Sequence, residues 1–229
     1  MRQLNFYALT ALLTFGLASA RADIFNFNLG VGNSALTGGT PSFTGPYESV
    51  NINLTSSTTA VVTFTSDTQT IGGTTYVYLM GDGGSADVNV NAAGWSLTDV
   101  STSNSGTGFS TPTFTFTSGN ISSFGSFNEV LKANSGFPIA FDTLSFLLTN
   151  TSGTWASAAN VLTPNADGNI AAAHVFVTTS PADQSNGAIV TGFDTSSGQI
   201  VPEPSLLGLS LAGIGVTILF NQRRHRRQS

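Results

Sequence analysis

The sequence predicts an all-β protein: an antiparallel β-sandwich, jelly-roll-like, with an N-terminal signal helix and a C-terminal transmembrane helix. Three observations carry this. Apolar residues alternate with Thr, Ser and Asn at period two through most of the interior. Turn signals built on Gly and Asn separate the alternating runs. The two ends break the pattern, each with an uncharged apolar stretch that differs from the body between them.

The strands follow in chain order. I-F-N-F-N-L at 24–29 sets Phe25, Phe27 and Leu29 on one face and Asn26 and Asn28 on the other. V-N-I-N-L at 50–54 and T-A-V-V-T-F-T-S at 59–66 repeat the alternation. T-T-Y-V-Y-L-M at 74–80 is a more continuous apolar run, as expected of a central strand. Further strands are expected at 88–91, 95–100, 113–117, 143–149, 169–178 and 188–193. Gly38-Gly39, Gly72-Gly73, Gly83-Gly84 and Asn186-Gly187 supply turns. T-P-N-A-D-G-N at 163–169 reads as a hairpin, with Pro164 opening the turn and Asp167-Gly168 closing it. N-E-V-L-K-A-N at 128–134 reads as the one helical turn of the interior.

Composition places limits on the body. Residues 23–200 hold 52 Ser and Thr, yet Phe, Val, Ile and Leu recur throughout, so the disorder signature fails. Thr is β-branched and suits the wet face of a strand. The whole chain has no cysteine, so stability rests on packing and ladder hydrogen bonds. The same 178 residues carry eleven acidic side chains and one basic one, Lys132, a net charge of −10 with His174 neutral. Such a surface repels phosphate backbones, which excludes nucleic acid as a partner.

The ends give the expected organisation. Residues 1–22 read as a secretory signal peptide: Arg2, an apolar core from Phe6 to Leu17, then Ala18-Ser19-Ala20 or Ala20-Arg21-Ala22 as cleavage sites. The β-domain is expected over 23–193 and a linker over 194–201, with D-T-S-S-G-Q-I at its start. Residues 202–229 form a sorting and anchor segment. From Ser205 to Gln222 there are 18 residues without a charge. As a helix they span about 27 Å, the thickness of a hydrocarbon core. Arg223, Arg224, Arg226 and Arg227 follow and would remain cytoplasmic, leaving the body outside.

Pro202, Glu203 and Pro204 stand just before that span. Two prolines and a residue preceding proline hold the triplet extended at the membrane boundary. Val201-Pro202-Glu203-Pro204-Ser205, the span Leu206–Phe220 and the arginine cluster together resemble the PEP-CTERM sorting signal of Gram-negative bacteria. The body, in G-D-G-G-S-A-D-V-N-V-N (81–91) and A-A-A-H-V-F-V-T (171–178), is more loosely similar to secreted proteins of that class. The resemblance implies a transient inner-membrane anchor and an exosortase-type membrane protease as partner. It further implies a destination at the cell surface or in the extracellular polysaccharide matrix. It implies no activity for the body.

Catalytic residues are scarce, and a non-enzymatic role without a cofactor is the expectation. His174 is the only histidine before residue 201, and it lies in a strand pattern. A Ser-His-Asp triad would have to use it, and no nucleophile elbow, zinc-protease motif or P-loop is present. An Asp pair such as Asp82 and Asp87, or Asp99, Asp142 and Asp194, is the remaining route to a glycan-active enzyme. Asp82, Asp87, Asn89 and Asn91 offer oxygen ligands for calcium in one glycine-rich loop, although the spacing is not that of an EF-hand. Trp95 and Trp155 are candidates for a glycan-stacking surface, the alternative being a carbohydrate-binding module or adhesin.

Overall fold

The computed structural model describes residues 23–196. The signal peptide, Pro202–Pro204, the apolar span and the four arginines lie outside the described residues. Among the described residues no helix is long and apolar enough to cross a membrane.

Twelve strands form one hydrogen-bonded antiparallel sheet, curled into a half-barrel. They are β1 (Asp23–Gly32), β2 (Glu48–Ser56), β3 (Thr59–Ser66), β4 (Thr68–Ile71), β5 (Thr74–Met80) and β6 (Ala86–Val88). The rest are β7 (Trp95–Ser103), β8 (Phe114–Ile121), β9 (Gly125–Ala133), β10 (Thr143–Asn150), β11 (Ala171–Thr179) and β12 (Val190–Ser196). The spatial order is β7-β10-β3-β2-β1-β12-β11-β6-β9-β8, and β4 and β5 branch from β11. Strands β5 and β6 share one edge of β11, the first pairing Val175–Thr179 and the second Ala171 and Ala172.

The period-two pattern explains the two faces. Phe25, Val50, Ile52, Val62, Phe64, Leu144, Phe146 and Leu148 point into one core, which continues through Val88, Leu131, Ala171 and Ala173. The opposite face of the same strands is uncharged and rich in Asn, Thr and Ser, with Ile24, Val61 and Leu147 together in the row of Asn53. Asn26, Asn51, Thr63 and Ser145 lie in one cross-strand row. Asn51 Nδ2 donates to Asn26 Oδ1 at 2.7 Å, and the Thr63 and Ser145 hydroxyls meet at 3.0 Å. The Thr- and Asn-rich composition is thus the outer face of a ladder. Strand β11 differs: its first eight residues are all buried, because it is covered on both faces.

Three expectations are corrected. Residues 128–134 are not helical. Val130 and Leu131 sit in β9, paired with β6 and β8, and are buried on opposite faces. A helical reading cannot bury both sides of so short a segment between two ladders. The turn at 163–169 forms, with Asn165 N–H donating to Asn169 O at 2.8 Å, but its arms do not make a hairpin of their own. Leu162 bridges Val90, and Ala171 pairs with Val88. Finally, β12 continues through Asp194, Thr195 and Ser196, three residues into the expected linker, and all three are buried. Strand β4 was not expected at all; it is exposed or half-buried throughout and has little apolar pattern to show.

Candidate functional site

Glu48 opens β2, and alternation puts it on the core face with Val50 and Ile52. Its cross-strand neighbours are Leu29 on one side and Ser66 on the other. Asp194 occupies the core face of β12, between Gly32 on β1 and Ala173 on β11. A register shift between Leu29 and Val31 lies on the β1 ladder that separates the two acids. Both side chains are 0% exposed.

Their hydrogen bonding is incomplete. Asp194 Oδ1 accepts from Ala173 N at 3.2 Å. Asp194 Oδ2 and both carboxyl oxygens of Glu48 have no partner, and neither does the buried Oγ of Ser66. Asn33, in the turn after β1, has an equally buried and unpartnered Oδ1. That oxygen faces the core side of β12, because a Cβ on Gly192 would lie 2.6 Å from it. Gly192 and Asp194 share one face, two residues apart. Unpartnered oxygens therefore line one end of the core on β3, β2, β12 and the turn after β1.

The electrostatics follow from burial. Glu48 is pushed well above the usual carboxylate range, chiefly by loss of water and then by the charges of Asp194, Asp87 and Asp67. Asp194 is pushed up by burial as well, against the lowering effect of backbone N–H groups. The Tyr47 phenol, next to Glu48 in sequence, is pushed up to about 12 by burial and by Asp194. No basic side chain of this body can answer these acids. Lys132 is the sole lysine or arginine of 23–196, and it is exposed on β9.

The residues singled out by the sequence lie elsewhere, and the structure does not gather them. Asp82 is exposed at a turn with φ of 61°, its carbonyl accepting from Ser85 Oγ at 2.6 Å. Asp87 is 0% exposed on the face of β6 opposite Ala86 and Val88, against Gly84 and Ile121. Burial and the Asp194 charge raise its pKa, and neither oxygen has a partner. Asn89 Nδ2 donates to Pro164 O at 3.2 Å and Asn91 Nδ2 to Asn160 O at 2.9 Å. Among the described residues no group of three or more His, Cys, Asp or Glu is placed to hold a metal ion.

Trp155 is 3% exposed within the main core, and its Nε1 donates to Asn91 O at 2.8 Å. Its ring has no face for a sugar. Trp95 is half-buried, and its Nε1 donates to Glu129 Oε2 at 2.8 Å. Burial raises Glu129, and that hydrogen bond offsets part of the effect. His174 is held at both ring nitrogens. Nδ1 donates to Gly81 O at 2.8 Å, since a carbonyl only accepts, so Nε2 accepts from Thr191 Oγ1 at 2.8 Å. Edge contacts from Phe176 and Phe193 enclose the ring. These two hydrogen bonds and the flanking rings fix the imidazole where β11 meets β12 and the turn at Gly81.

Sequence reasoning passed over Glu48, and it weighed Asp194 only as one member of a possible catalytic Asp pair, at the head of the expected linker. Glu48 was one of two glutamates in the body, and its place at the head of a clean apolar alternation, E-S-V-N-I-N-L, was the available signal. Asp194 was masked by the small polar residues after it.

The fold and site together define an acidic, antiparallel β-body with an uncompensated carboxyl pair in its core. Comparison with family models, curated proteins and solved structures finds no match for this chain.

Proposed function

We propose that this chain is an exported, non-enzymatic protein of the cell surface or extracellular polysaccharide matrix, sorted and cleaved through its C-terminal segment by an exosortase-type membrane protease. The observation that carries the reading is the order of three parts in residues 202–229: Pro202-Glu203-Pro204, an uncharged span, and four arginines. Each part has a separate physical role, as a stiff exposed triplet, a bilayer-length segment and a cytoplasmic stop. A body without cysteine, stabilised by ladders and packing, suits a compartment in which no disulfide is required.

We read the curled sheet as a jelly-roll-like sandwich. The main core supports this, because it joins side chains of β2, β3 and β10 to those of β6, β9 and β11. The role of the body is to present its uncharged Thr, Ser and Asn face to the matrix. That face meets neutral, hydroxyl-rich polymer without the repulsion that the acidic residues would impose on an anionic one.

Intact-mass measurement on protein recovered from its native envelope tests the proposal. The expected species lacks residues 1–22 and has lost Arg223–Arg227. Mature material that retains those arginines, in cells possessing the protease, would make the chain a plain tethered ectodomain. Glycan-array binding that is lost in Trp95→Ala with the fold intact would instead favour the carbohydrate-binding module.

A further inference from the structure

We propose that β8 is a self-pairing edge: two copies of this chain join their β8 strands antiparallel, about a two-fold axis at Thr115.

Strand β8 stands at one end of the strand order and has a single neighbour, β9. Asn134 N–H donates to Thr113 O at 3.2 Å, which makes Thr113 and Asn134 a hydrogen-bonded pair. Such pairs alternate along an antiparallel ladder. Thr115 and Thr117 therefore also bond to β9, while the N–H and C=O groups of Phe114 and Phe116 point away from it. No strand or loop among the described residues takes these outward groups, and residues 115–118 are exposed.

Open edges are ordinarily blunted by charge, by bulges or by shortness. The opposite end of the sheet, β7, carries Asp99 at φ of 53° and a register shift against β10 between Ser145 and Leu147. Strand β4 is four residues long, and its Gln69 is tied to Thr44 by bonds of 2.7 and 3.2 Å. Strand β8 has none of these devices at 114–117, where its pairing is regular. Residues 100–128 contain no charged side chain, in a body of net charge −10. A second copy can approach along this edge without the repulsion it meets elsewhere.

The sequence at 113–117 selects a second copy over any other extended peptide. T-F-T-F-T reads the same in both directions. Antiparallel pairing centred on Thr115 sets Phe114 against the partner's Phe116 and Thr113 against the partner's Thr117. Each Phe pair then exchanges both of its outward N–H···O=C bonds. Phe114 packs on the main core, its ring 5.8 Å from that of Phe141, whereas Phe116, on the same face, is 49% exposed. The core face runs out at Phe116, and the partner's Phe114 extends it. Pro112, at the next outward position, has no N–H to give, and a register shift follows Thr117. Pairing is thus confined to 113–117. Lys132 lies across β9 from Thr115, so the two copies' lysines stand three strand spacings apart, about 14 Å, where salt screens them. Each copy uses its β8 edge once, so the pair closes and does not grow into a fibre. An interface this small belongs to the weak class, with a Kd of roughly 10–100 µM.

The chain has no cysteine, so a single introduced thiol reports the contact. Thr115 meets its own copy in a non-hydrogen-bonded pair, close enough for a disulfide. The full chain in detergent, at about 50 µM, is treated with a mild oxidant; Thr115→Cys is expected to form dimers at least about tenfold faster than Thr98→Cys, because pairing raises the local thiol concentration to millimolar. Thr98 is equally exposed on β7 and reports any association that does not pass through β8. Adding Phe116→Asp to Thr115→Cys slows the cross-link at least about tenfold, since it buries a charge in the pair. Cross-linking no faster at 115 than at 98, or undiminished by Phe116→Asp, overturns the proposal. Amide exchange of the unaltered chain serves where a variant does not fold. The Phe114 and Phe116 amides are expected to slow as the protein rises from about 1 to about 100 µM. Exchange that ignores concentration overturns the proposal, whether the edge is open or covered by another segment of the same chain. Neither readout involves sorting or cleavage, so the outcome is independent of the destination proposed above.

Discussion

Asp87 faces Val130 and Ala172 across its two ladders, and neither of its oxygens finds a donor. Its folded pKa is raised, by burial first and by Asp194 second. The unfolded chain releases this proton near the ordinary carboxylate value of about 4, so the group's contribution is present below that pH and is lost as pH rises. Asp87→Asn removes this loss. The variant's unfolding midpoint is expected to exceed that of the unaltered protein most at pH 8, with the two converging toward pH 4, as read from urea curves. His174 works in the opposite direction. Its folded pKa is lowered, by burial against the raising effects of Gly81 and Asp82. Its contribution is therefore complete above the unfolded value of about 6.5 and declines as pH falls below it. His174→Gln is expected to flatten the change in midpoint between pH 7.5 and 5.5. Trp155→Ala opens a cavity in the main core and strands Asn91 O, a loss of about 3–5 kcal/mol readable as a lower urea midpoint at unchanged slope. At this scale the sequence was a poor guide. It showed that Asp87 lay among glycines and Trp155 among small residues, but burial depends on which strand arrives on the far side.

Among the elements, legibility followed pattern strength. Strands β3 and β5 lie at 59–66 and 74–80, the bounds read from the sequence: β3 alternates because Ala60, Val62 and Phe64 face one core, and β5 is continuously apolar because Tyr78 and Leu79 enter clusters on opposite faces. Strand β9 was misread because Val130 and Leu131 are adjacent and both apolar. Adjacent apolar residues break a period of two, yet here one faces the main core and the other a satellite cluster with Ile121 and Phe127. A strand with cores on both sides loses its alternation. The β4–β5 turn was legible from its two glycines, which take φ of 59° and 87°. Only glycine adopts that pair without strain. Gly73→Val is expected to cost roughly 1–2 kcal/mol, with faster amide exchange confined to residues 68–80 of this hairpin.

For the whole molecule, the sequence conveyed the antiparallel class but not the order of the strands. Nothing local states that β10 joins β7 to the edge of the β1-β2-β3 run while β4, β5 and β6 belong with β8, β9 and β11. Topology of this kind is settled by long-range pairing, and the carboxyl pair inherits the difficulty: Glu48 and Asp194 are brought onto one face only once β1 lies between them. The charge of the body does act at this scale. With eleven acidic side chains and one lysine, the folded state repels itself, and screening relieves this. The melting midpoint is expected to rise between low salt and 0.5 M sodium chloride; a midpoint that does not move would mean that the burial of acids, rather than their mutual repulsion, limits stability.

Strand β12 is the last of the body, and it lies in the interior of the sheet, between β1 and β11. Until it is made, the two halves share no continuous ladder. A growing polypeptide therefore holds separate, open-edged fragments through most of its synthesis, and its centre closes only when residues 190–196 emerge. Such a late seam delays the compact form until the last strand of the body is in place, and it leaves the earlier fragments loosely joined until then.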